Sequence, residues 1–151
     1  ECDEVIFVEG DLFYDGGSFE QVISSNNNVI TVNREFITSR KSVVLYVDMN
    51  GHIHYLYDTK HLSLEIAEPF QAIYNSAQIW KFLSVERLSG VIRNLTPTQI
   101  RGTNLEIIQG YFESLPLDTM QFVPVNTWYN CNTVSDYNTV YSLIKQHEIN
   151  K

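Results

Sequence analysis

Ser42-Val43-Val44-Leu45-Tyr46-Val47-Asp48-Met49-Asn50-Gly51-His52-Ile53-His54-Tyr55-Leu56-Tyr57-Asp58 reads as a β-hairpin. Both flanks are rich in β-branched and aromatic residues. Asn50-Gly51 between them is the dipeptide that accepts the positive φ angles of a tight hairpin turn. In the first strand Val43, Leu45 and Val47 share one face, and Val44, Tyr46 and Asp48 share the other. The first face is wholly apolar and is expected to point into a core.

Working outward, Pro69 stands where a first-turn proline belongs, with Glu68 beside it to complement the helix dipole. Ile73, Ala77 and Trp80 then recur at helical spacing, so a helix is predicted over Pro69–Leu88, ended by Gly90. On the other side, Val5-Ile6-Phe7-Val8 is a continuous apolar run that reads as a central strand buried on both faces. Ser18-Phe19-Glu20-Gln21 has the form of a capping box opening a short helix to about Ser25. Val29–Val32 and Phe36–Thr38 are short β-branched pieces. Thr96-Pro97 starts a helix of a turn or two. Leu105–Phe112 reads as a strand with a bulge at Gly110, and Met120–Val125 as an edge strand because of Pro124. Ser135 caps a last helix whose apolar stripe is Tyr137, Val140, Tyr141 and Ile144. This order predicts an α+β fold: a mixed or antiparallel sheet, one long central helix, and shorter N- and C-terminal helices. Residues 1–151 read as a single domain, with no linker, repeat or low-complexity tract.

The charge balance restricts the partners. Eighteen acidic against ten basic residues give a net charge of −8, which repels phosphate backbones and argues against nucleic acid. No stretch of 18 apolar residues is present, so no membrane span is expected. Charged residues make up only 19% and aromatic residues 13%, a composition suited to a packed domain. Cys2 and Cys131 form an even pair with polar neighbours, and the chain begins at Glu1 without an initiator Met. Together these predict a disulfide and a secreted or periplasmic location.

Few motifs carry chemistry. There is no Gly-x-Ser-x-Gly elbow, no Gly-x-x-x-x-Gly-Lys-Ser/Thr and no Gly-x-Gly-x-x-Gly. His52 and His54 share a strand face, but spacing fixes no further ligand, and no metal is expected. Glu9 and Asp11 leave the end of a predicted strand on one side, where sites tend to lie. Phe13-Tyr14, Tyr55 with Tyr57, and Trp128-Tyr129 lie near turns. Tyrosine rings beside loops offer flat apolar area with a polar tip, which suits sugar or protein binding. Sequon Asn94-Leu95-Thr96 is followed directly by Pro97.

Three segments carry a resemblance. Phe7-Val8-Glu9-Gly10-Asp11-Leu12 with the Ser18–Ser25 helix, Phe36-Ile37-Thr38-Ser39, and the stretch from Gln78-Ile79-Trp80 to Leu95-Thr96-Pro97-Thr98-Gln99-Ile100 are similar to the ADP-ribosyltransferase subunits of the pertussis and cholera toxin group. The resemblance implies a transferase using Glu86 with Thr38 and Ser39 and taking NAD, with other toxin subunits as partners. Glu9, however, stands where that family has an arginine for the dinucleotide phosphates, so the implied NAD site is degenerate. The expectation is therefore a secreted, toxin-related or effector-like binding domain without a cofactor, recognising a host protein or glycan. Glu9, Asp11, Phe13, Tyr14, Tyr55, Tyr57, Trp128 and Tyr129 are its candidate contacts, and the acidic surface favours a basic partner. The alternative is an ADP-ribosyltransferase-like enzyme.

Overall fold

In the computed structural model, which describes residues 3–149, one strand organises everything else. The elements, in chain order, are β1 (Val5–Val8), β2 (Leu12–Tyr14), α1 (Gly16–Ser24), β3 (Asn28–Asn33), β4 (Val44–Asp48), β5 (Ile53–Leu56), β6 (Phe70–Phe82), α2 (Val85–Asn94), α3 (Pro97–Ile100), α4 (Leu105–Phe112), β7 (Met120–Val125), β8 (Trp128–Asn130) and α5 (Val134–Ile149). The class is α+β with a mixed sheet, ordered β5-β4-β6-β3-β7. Among the described residues of this sheet only β3 and β7 run parallel; the other pairs are antiparallel. β1 lies on the same side of β6 as β4, alongside its last four residues. β2 and β8 form a separate two-stranded ribbon.

The predicted long helix over Pro69–Leu88 is strand β6, 13 residues long. Its residues from Asn75 to Phe82 are all buried, so it shows no in–out alternation. Its polar members are held by side-chain hydrogen bonds: Asn75 Nδ2 donates to Asn33 Oδ1 at 3.0 Å, and Lys81 Nζ donates to the carbonyls of Ile23 and Ser25, each at 2.8 Å. Such polar groups inside a strand imitate the wet face of a helix.

Other boundaries also move. β1 is peripheral rather than central, and Phe7 is 37% exposed. α1 is capped by Asp15, not Ser18: the Asp15 carboxylate accepts from Ser18 N at 2.7 Å and from Ser18 Oγ at 2.8 Å. Phe36–Thr38 belongs to the loop 34–43, where Phe36 is exposed. Leu105–Phe112 is helix α4. Gly110 is there for close approach, because a Cβ would lie 2.9 Å from Val91 Cγ1 on α2. α5 is capped by Thr133 rather than Ser135, with Asp136 N donating to its hydroxyl. The hairpin β4–β5, strands β3 and β7, and the short helix started by Thr96-Pro97 lie where the sequence places them; the structure adds a capping box between Thr96 and Gln99.

The sheet is buried on both faces. On one, Ile30, Leu45, Trp80 and Phe82 pack against Ile108, Tyr111 and Phe112 of α4. On the other, Val29, Ile79 and Val123 pack against Val22 of α1, and Ala77 and Val125 pack against Trp128 of the ribbon. No helix among the described residues is long and apolar enough to cross a membrane.

Candidate functional site

β6 is interrupted midway. Its pairing with β3 jumps from Ile30↔Trp80 to Val32↔Ser76, so Ala77, Gln78 and Ile79 stand opposite Thr31 alone. The backbone groups of this bulge find other partners. Gln78 N donates to Ser76 Oγ, and the Gln78 carbonyl accepts from Glu9 N. The Ala77 carbonyl accepts from Trp128 Nε1 at 3.0 Å. Thr31 Oγ1 bonds both backbone groups of Ile79. This network holds Gln78 at φ 62°, a left-handed conformation that costs a non-glycine residue roughly 1–2 kcal/mol.

One other non-glycine residue among those described has a positive φ: His61, at 57°. The Asp58 carboxylate accepts from the backbone N–H groups of Lys60, Leu62 and Ser63 and winds the loop around itself. Those bonds, Ser63 first, hold the Asp58 carboxyl below its ordinary range. Gln78 and His61 line the same cavity, of about 220 Å³. Backbone strain of this kind concentrates at functional sites.

The cavity wall is polar and drawn from distant parts of the chain. Carboxamides come from Gln78, Asn104, Asn130 and Asn132, carboxylates from Glu9 and Asp11, and cations from Arg40 and Lys41 on the 34–43 loop. Tyr57 and Val43 supply apolar surface, with the fully buried Trp80 beneath. Asn104 Nδ2 donates to Glu9 Oε1, which fixes that carboxylate. Asn130 Oδ1 is buried and has no hydrogen-bond partner among the described residues.

The residues singled out from the sequence fall into groups. Glu9, Asp11 and Tyr57 line this cavity. Trp128 and Tyr129 line a second cavity of about 300 Å³, and Phe13 a third of about 420 Å³. Phe13 and Tyr129 are cross-strand partners in the ribbon, as are Tyr14 and Trp128. Tyr14 packs against the core, and so does Tyr55, whose hydroxyl accepts from Trp80 Nε1 at 2.8 Å. Thr38 and Ser39 sit in the loop leading to Arg40. Glu86 is exposed in the first turn of α2 and lines none of the cavities described here. Cys131 is a free, half-buried thiol, and its proposed partner Cys2 lies outside the described residues. Gln78, Asn104, Asn130, Asn132 and Lys41 escaped sequence reasoning. The available signal was Asn130 and Asn132 flanking Cys131 directly after Trp128-Tyr129.

His52 and His54 are both held by Asp48, the last residue of β4. Asp48 Oδ2 lies 3.2 Å from His52 Nδ1 and 3.1 Å from His54 Nε2. Among the described residues no group of three or more His, Cys, Asp or Glu side chains could hold a metal ion.

Comparison with solved structures finds the same fold in a Bacillus anthracis protein proposed as a glucose-1-phosphate thymidylyltransferase, solved in complex with a sucrose. The TM-score is 0.59 at 13% identity, and the match covers 93% of this chain and 54% of that one. The chain thus spans about half the length of that neighbour, and the likeness is one of fold. Comparison with curated proteins finds no match. Residues 1–144 match the family described as a domain of unknown function (DUF6564), and the chain belongs to that family.

Proposed function

We propose that the cavity at the β6 bulge binds a carbohydrate. The observation that carries this reading is the convergence of four carboxamides and two carboxylates on a cavity whose wall includes both strained residues, Gln78 and His61. A sugar hydroxyl both donates and accepts. A carboxamide can answer both roles, and a carboxylate accepts from adjacent hydroxyls. Tyr57 offers apolar area for the C–H face of a ring. Glu9 and Asp11 are balanced on the wall by Arg40 and Lys41, so the cavity carries no large net charge, which suits a neutral sugar. The fold neighbour, solved with a sucrose, lends support from architecture alone.

The test is a glycan array followed by calorimetry on the array's hits. Sugar binding is expected, and Asn130→Ala is expected to weaken it about tenfold, the worth of one hydrogen bond in a desolvated site. An array with no signal at millimolar ligand, or hits unchanged in Asn130→Ala and Asn104→Ala, would sink the reading.

A further inference from the structure

Resting on the sugar-binding reading, we infer that the site takes a chain of at least two linked sugar rings. The first cavity, about 220 Å³, is smaller than the roughly 300–1,000 Å³ usual for a ligand site. It does not end at its own wall. Lys41, Asn130 and Asn132 line it and also line the second cavity, of about 300 Å³, between β8 and α5. The two hollows are therefore neighbours across one polar divide.

Asn130, Asn132 and Lys41 face both cavities and make the divide polar. Lys41 stands at the junction, where its ammonium can donate to hydroxyls. A linked pair of rings would lie across Asn130 and Asn132, with one ring on each side. Trp128, Tyr129, Asp136 and Thr139 line the second cavity; there the Asp136 carboxylate accepts from Thr133 and the Thr139 hydroxyl donates to the Ser135 carbonyl. The third cavity shares only Asp11 with the first and Val140 with the second, and it is not part of this groove.

The experiment measures dissociation constants by calorimetry for glucose, galactose, mannose and N-acetylglucosamine, and for their α1,4- and β1,4-linked dimers. At least one dimer is expected to bind about tenfold more tightly than its monomer. Thr139→Trp, an exposed helix position turned into a plug for the second cavity, is expected to bring that dimer down to the affinity of the monomer while leaving the monomer within about twofold. Monomers binding as tightly as every dimer would overturn the two-ring groove and leave the single-sugar reading standing. A dimer advantage that survives Thr139→Trp would overturn the placement of the second ring. No binding by any of these sugars would remove the carbohydrate reading and this inference together.

Discussion

Thr31 and Ile79 are joined by a two-way hydrogen bond. The Thr31 hydroxyl donates to the Ile79 carbonyl at 2.8 Å and accepts from the Ile79 amide at 3.0 Å, and both residues are fully buried. One side chain thus does the work of a missing β-ladder rung and closes the β6 bulge. Thr31→Val keeps the shape and removes both bonds, leaving a buried N–H and C=O unpaired. Each such group costs about 1–3 kcal/mol. A loss of at least about 2 kcal/mol is expected in urea denaturation, with sugar affinity falling alongside it. A loss under about 0.5 kcal/mol would mean that Thr31 does not hold the bulge.

Gln78 permits a separation of strain from binding. Gln78→Gly relieves the left-handed strain of about 1–2 kcal/mol but adds back unfolded-state freedom of similar size. Stability is therefore expected to stay within about 1 kcal/mol of wild type, while sugar binding weakens through loss of the carboxamide. Gln78→Val, β-branched at a positive φ, is expected to lower the denaturation midpoint clearly. Equal stability of the Gly and Val variants would show that the backbone there is not held at positive φ.

The hairpin was legible because its signals are local: Asn50-Gly51 demands a tight turn, and the pattern of Val43, Leu45 and Val47 demands one apolar face. β6 was illegible for the opposite reason. It is enclosed by β3, β4 and β1, so its pattern answers to partners distant in sequence. Asn75 looks polar until Asn33 is beside it, and Lys81 until the end of α1 is. α4 was misread because eight mostly apolar residues have no length to show a period, and Gly110 answers to Val91 on another helix. Glu9 and Asp11 could be placed at a strand end. Nothing in the order of residues, however, says that the 34–43 loop and Asn104 come to the same cavity.

Lys81 tests whether a buried charge can be a fold element. Its side chain is 3% exposed, and the ammonium donates to two carbonyls at the C-terminal end of α1 and pairs with Glu4 at 3.0 Å. A cation there also suits the negative end of the helix. Lys81→Met preserves most of the volume but strands the Ile23 and Ser25 carbonyls. The expected cost is about 2–3 kcal/mol in chemical denaturation. A neutral or stabilising result would show that the methionine packs better than the charge is paired.

Asp48 gives the hairpin a pH dependence of defined sign. Its carboxylate accepts from the backbone N–H groups of His52 and Asn50 and contacts both His52 and His54. The His52 amide is the largest cause, followed by burial, which opposes it, and then the other bonds. Together they hold the Asp48 carboxyl well below its ordinary value of 3.8. The unfolded chain therefore takes up this proton first as pH drops. The stabilisation is whole above about pH 4 and drains away below it. Asp48→Asn is expected to be less stable than wild type at pH 7 and to lose less on going from pH 5 to pH 2.5. Asp15 and Asp58, also depressed by hydrogen bonds in the folded state, keep some acid sensitivity in the variant. Thermal melts at four or five pH values between these limits would read the difference. Parallel wild-type and variant curves would show that Asp48 has no part in the acid limb.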